Sequence, residues 1–144
     1  MPGALDAPPW EVSPRPKPRR KWRDKFGDAF RGVKLGVRGH SSFFVHFFFA
    51  ALVFAAAVVL RCDYLDWCLL LGCIGLVLTA ELFNSAVETL FHGFDPATKE
   101  RTFAALDIAA GAVLLASITS VIIGSIVFLR RLTIFLEFIS LHAG

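Results

Sequence analysis

The chain has no Gly-x-x-x-x-Gly-Lys and no Gly-x-Gly-x-x-Gly, which excludes the two common glycine-rich phosphate cradles and the soluble nucleotide folds that carry them. It has no Ser/His/Asp or Cys/His arrangement and no soluble domain to hold one, so a triad hydrolase has no support. Cysteine is scarce. Cys62, Cys68 and Cys73 are odd in number, lack a Cys-x-x-Cys spacing and lie in or beside an apolar segment, where packing is the simpler reading than metal or redox use. Proline is nearly confined to one end, with six of the seven before residue 22.

Apolar residues are abundant by contrast. They make up 56% of the 144 residues, and phenylalanine alone occurs 15 times, a balance outside the range of an ordinary soluble domain. Two long apolar runs cover His40 to Leu60 and Ala104 to Leu129, and a third begins at Trp67 and ends near Phe91. Each reaches the roughly 20 residues that cross a bilayer core. The expected fold is therefore all-α and integral to a membrane. Ten of the 15 Lys and Arg residues precede residue 40, and Lys99 and Arg101 lie between the second and third runs. Only Arg61, Arg130 and Arg131 fall elsewhere, so the positive-inside rule puts the N-terminus and the second loop in the cytoplasm and the C-terminus outside. The first run is flanked by charge and followed by Arg61-Cys62-Asp63 with no small-residue cleavage pattern, which reads as a retained helix and not a signal peptide.

The N-terminal region divides at residue 21. Residues 1–21 combine the prolines with Arg15, Lys17, Arg19, Arg20 and Lys21, a composition that buries no apolar surface and is expected to be disordered. From Trp22 the apolar residues Trp22, Phe26, Phe30, Val33 and Val37 recur at helical spacing, with Lys25, Arg31, Lys34 and Arg38 largely off that stripe. This pattern predicts an amphipathic helix lying in the membrane interface. A nucleic-acid partner is not expected, because the basic run is tethered to three apolar spans. Three regions follow: a basic tail over 1–21, a membrane domain over 22–131, and an apolar C-terminal segment over 132–144 expected on the outer surface.

The second span carries the chemistry. Glu81, Asn84, Ser85 and Glu88 fall at spacings of three, four and seven residues, one stripe of a helix. An ionisable group at the centre of a membrane helix costs at least about 2.5 kcal/mol, so two acids on one stripe mark a site more readily than they glue helices together. Glu81 lies fourteen residues beyond Trp67, about 21 Å along the axis, near the cytoplasmic side of a core about 30 Å thick. Asp107 sits at the corresponding depth in the third run. A carboxylate at that level can act as general base on a lipid hydroxyl, and a second can hold Mg²⁺, which takes oxygen ligands beside substrate phosphates. Such an assembly suits phosphoryl transfer, where positioning and charge neutralisation do most of the work.

The segment Glu81-x-x-Asn84-Ser85-Ala86-Val87-Glu88, followed nineteen residues later by Asp107-Ile-Ala-Ala-Gly-Ala-Val-Leu, resembles the prokaryotic diacylglycerol kinase and undecaprenol kinase family. The likeness extends from about residue 25 to about residue 129. It implies an interfacial helix and three transmembrane helices, and a homotrimer in the inner membrane that transfers the γ-phosphate of MgATP to a lipid alcohol. By position, Glu81 would be the general base, Glu88 a metal ligand, Asn84 a polar support in the nucleotide site, and Asp107 part of the same site. Two departures stand out. Leu106 occupies the place of a family lysine that meets phosphate, and Gly39-His40-Ser41 the place of a second metal-binding glutamate, for which His40 is a poor substitute because Mg²⁺ prefers oxygen ligands. Lys99 or Arg101 would have to supply the missing cation at the ATP site. A catalytically weak or inactive lipid-binding relative is the alternative. His46 and His92 read as lone histidines, and Gly111, Ala112, Ala116, Ser117, Ser120 and Gly124 form a small-residue face that would suit a trimer core.

Overall fold

A computed structural model describes residues 21–39 and 42–142. Among these residues the chain forms four helices and no strand: α1 (Trp22–Gly39), α2 (Ser42–Val59), α3 (Tyr64–His92) and α4 (Pro96–His142). The expectations for the tail before residue 21 and for His40 lie outside the described residues.

Helix α1 presents Trp22, Phe26, Phe30 and Val33 on an exposed stripe, as the spacing predicts. Lys25 leans back over the Trp22 ring and sets its ammonium against the aromatic face, Nζ 4.7 Å from the centroid. The helix packs on α3 at Gly36, where an added Cβ would lie 2.7 Å from Leu82 Cδ2. That close approach ties α1 to the same stretch of α3 that carries Glu81.

Three of the described helices, α2, α3 and α4, are long and apolar enough to cross a membrane. Most of their large apolar side chains are exposed, and the buried apolar residues among those described are only Phe43, Ala57, Leu70, Ala116 and Val127. A chain solvated by hydrocarbon has this character, since lipid covers what a soluble protein would fold inward. The small core of Ala57, Leu70 and Val127, flanked by Val53, Cys62, Trp67 and Phe128, sits at the end where α2 turns into α3. Arg61 makes that turn at φ 50°, and Cys62 N–H donates to Ala57 C=O at 3.0 Å while Arg61 N–H donates to Val58 C=O at 3.2 Å. This is the pattern that closes a helix with one left-handed residue.

Two boundaries differ from the sequence reading. Lys99 and Arg101 belong to the first turns of α4, not to a loop, because Asp95 caps that helix. Its carboxylate accepts from the backbone N–H groups of Ala97 (3.1 Å) and Thr98 (3.2 Å) and from the Thr98 hydroxyl (2.6 Å), and Pro96 fits the first helical position. These bonds, that of the Thr98 hydroxyl foremost, hold the Asp95 carboxyl below its ordinary value. The second difference is at the far end. The Arg130-Arg131 pair looks like the end of an apolar run, yet α4 continues through it to His142 as one helix of 47 residues, about 70 Å long. The pair does not interrupt α4, since arginine is a good helix former, and both arginines are met by acids at the start of α3.

That neutralisation starts from the cap of α3. Asp63 accepts from the Asp66 backbone N–H at 3.0 Å, and Asp66 accepts from the Asp63 N–H at 3.2 Å, a reciprocal capping box. Asp66 is 1% exposed, and both its oxygens are taken by arginine: Arg130 Nη2 reaches Oδ1 at 2.5 Å and Arg131 Nε bonds Oδ2. Asp63 pairs with Arg131 and lies 3.7 Å from Arg130. Two acids and two arginines thus pin α4 to the start of α3. The Asp66 amide bond first, and then Arg131, hold the Asp63 carboxyl below its ordinary value. Burial, followed by the neighbouring Asp66 charge, raises the Cys62 thiol, which fits a packing residue better than a reactive one.

Candidate active site

At the opposite end of α3 the acids keep different company. Glu81 lies fifteen residues beyond Asp66, about 22 Å along the axis, and is 3% exposed. Its partners come from the start of α2. Ser42 Oγ donates to Oε1, and one turn further His46 Nε2 stands 3.8 Å from Oε2. Among the described residues no lysine or arginine pairs with Glu81. A buried carboxylate met by a hydroxyl and an imidazole keeps its basic oxygen available, whereas an arginine clamp would hold it as a spectator.

The stripe read from the sequence resolves into two rows. Glu81 and Ser85 form the inner row, Ser85 being 2% exposed with no hydrogen-bond partner for its Oγ among the described residues. Asn84 and Glu88 form the outer, half-buried row, where Asn84 Nδ2 donates to Glu88 Oε1 at 2.9 Å. Thr89 closes the last turns by donating to Ser85 C=O at 2.7 Å.

The remaining sequence candidates lie apart. Asp107 is exposed on α4, and Leu106 beside it is half-buried. Lys99 sets its Nζ 5.8 Å over the Phe91 ring, and Arg101 is exposed. Among the described residues no three His, Cys, Asp or Glu side chains gather closely enough to hold a metal ion, so one chain alone does not bring Glu81, Glu88 and Asp107 into one cluster. Ser42 and His46 were missed because a serine and a histidine on an apolar run carry no signal until the pairing of α2 with α3 is known. Their spacing of four residues, facing a buried acid, is the trace that was there to find.

Between α2, α3 and α4 runs an apolar groove of about 720 Å³, with His46 at one end and Leu132 at the other. Leu70, Ile74 and Val77 of α3 face Val121, Gly124 and Phe128 of α4 across it.

Residues 27–128 match the model of the family described as prokaryotic diacylglycerol kinase. The chain belongs to that family. It is also 32% identical over 110 residues to the undecaprenol kinase of Bacillus subtilis (strain 168), an alignment covering 74% of this chain and 87% of that protein. No solved structure matches. The family match takes in Glu81, Asn84, Glu88 and Asp107, and it ends just before Arg130 and the last turns of α4. With three helices fit to cross a bilayer, this member of the prokaryotic diacylglycerol kinase family is a membrane protein.

Proposed function

We propose that the protein transfers the γ-phosphate of ATP to a lipid alcohol, diacylglycerol or undecaprenol, at the cytoplasmic face of the inner membrane. The observation that carries this reading is the Glu81 carboxylate, buried at one end of α3 with a hydroxyl and an imidazole as its partners and no cationic clamp among the described residues. Glu81 accepts the proton of the lipid hydroxyl as that oxygen takes the phosphoryl group. The apolar groove that ends at His46 offers a path for the lipid tail to this carboxylate.

Glu88 and the carbonyl of Asn84 fit Mg²⁺ in donor type, since both present hard oxygens and the metal commonly takes only one or two protein carboxylates beside phosphates and water. When bound with ATP, Mg²⁺ would neutralise charge on the phosphates. Asp107, Lys99 and Arg101 are assigned to the nucleotide side. Their separation from Glu81 within one chain, together with the open space around Gly111 and Gly124 on α4, supports assembly as a homotrimer in which neighbours complete each site. The distribution of Lys and Arg supports an N-terminus in the cytoplasm and a C-terminus outside. Cysteines placed at residues 99 and 63, in a background lacking the native three, should be labelled from opposite sides of the membrane.

Leu106 favours a second reading, a weak or inactive relative that binds lipid, because it leaves an apolar side chain where a cation would meet phosphate. Purified protein incubated with labelled MgATP and a panel of lipid alcohols separates the two. The kinase reading expects label in diacylglycerol or undecaprenol and its loss in Glu81→Gln. The second reading expects none, or transfer only in the double change Leu106→Lys with His40→Glu.

A further inference from the structure

We propose that His46 and Ser42 are positioning residues for Glu81, and that His46 receives the proton Glu81 removes from the acceptor hydroxyl. The inference rests on the lipid-kinase reading and deepens it. Ser42 Oγ fixes one carboxylate oxygen, which turns the other toward Nε2 of His46, 3.8 Å away. That gap closes by a small rotation of the ring or through a single water. Both residues stand one turn apart on α2, so one helix sets the carboxylate plane and the imidazole together.

Their exposures give the pair a direction. The Glu81 side chain is 4% exposed and His46 21%, and His46 also lines the groove. A proton left on Glu81 sits on a side chain that is almost wholly buried, whereas one passed to His46 reaches the fifth residue of α2, one turn from the end of the helix that meets the membrane face. The acceptor O–H breaks and its oxygen bonds to the γ-phosphorus. The bond to the bridging oxygen of ATP breaks with its electron pair leaving on ADP, and the proton moves to Glu81 Oε2, then to His46 Nε2, and from there to water. From α3 the titratable group facing His46 is Glu81, and Cys73 lines the same groove. From α4 the groove receives the hydroxyls of Ser117, Ser120 and Ser125. No ion pair from α1 or α4 reaches Glu81 or His46 among the described residues.

If His46 accepts the proton, transfer depends on its imidazole as well as on Glu81. In His46→Gln, full-length and in detergent micelles with an accepted lipid alcohol, kcat should fall about ten- to hundredfold while KM for ATP stays within about twofold. The acid limb of its kcat profile should shift relative to the wild type. Added imidazole should partly restore His46→Ala, more so as its free base increases, and Ser42→Ala should lower kcat with the acid limb left in place. Wild-type kcat and an unmoved acid limb in His46→Gln overturn the proposal, as does a loss in His46→Ala that imidazole leaves untouched. If the wild-type protein phosphorylates no lipid alcohol, the kinase reading falls and this proposal with it. Wild-type transfer with indifferent His46 variants removes the relay alone.

Discussion

The two ends of α3 each bury an acid, one against α4 and one against α2, and they treat it in opposite ways. At the Asp63 end, Asp66 is 1% exposed and has an arginine on each oxygen, so two negative and two positive side chains cancel. At the other end Glu81 is 3% exposed and, among the described residues, faces a hydroxyl and an imidazole. Burial is equal, while compensation is not. A compensated acid is fixed in one charge state and holds helices in register. An acid without a cation can take up and release a proton, which is what a base must do.

Removing the centre of the compensated end should have the largest effect. Asp66→Ala strands two arginines and deletes half of a capping box, which should destabilise the protein by about 3 kcal/mol, near the low end for a broken buried pair because Arg130 is half exposed. Thermal unfolding in detergent, read by circular dichroism, checks this. Next in size is a change that makes the two ends alike. His46→Arg gives Glu81 the clamp it lacks, so phosphate transfer should drop about a hundredfold while the unfolding midpoint holds or rises. Transfer that survives His46→Arg would erase the distinction between the ends.

A smaller effect is expected at Asp63. Its carboxyl is held below its ordinary value, so its contribution is present above the carboxylate value of the unfolded chain and is lost as pH falls through the lower, folded value. Asp63→Ala should therefore unfold earlier than wild type at neutral pH, by less than Asp66→Ala, and the gap should close under acid conditions. Melting curves at neutral and acid pH give the comparison.

Much of the fold was legible because membrane spans announce themselves by length and composition, and because the stripe of α1 has a clean helical period. The acid stripe of α3 was legible for the same reason, since an acid in an apolar helix is conspicuous alone. What stayed hidden depends on pairs distant in sequence. Asp66 looks like an ordinary first-turn acid until Arg130 and Arg131, 64 and 65 residues on, close over it. Ser42 and His46 look like minor interruptions of a phenylalanine-rich run until α2 meets α3 39 residues later at Glu81. The continuity of α4 was hidden by the same pairing, because two adjacent arginines read as an end only while their partners are unknown.

The central claim is that compensated burial serves structure and uncompensated burial serves chemistry. Its most direct test measures Glu81→Gln and Asp66→Asn side by side for phosphate transfer per folded molecule and for the unfolding midpoint. The account predicts that Glu81→Gln loses at least about a hundredfold in transfer and melts with the wild type, and that Asp66→Asn melts earlier with transfer near the wild-type rate. Transfer within about tenfold of wild type in Glu81→Gln, or its abolition in an Asp66→Asn protein of unchanged midpoint, would contradict it.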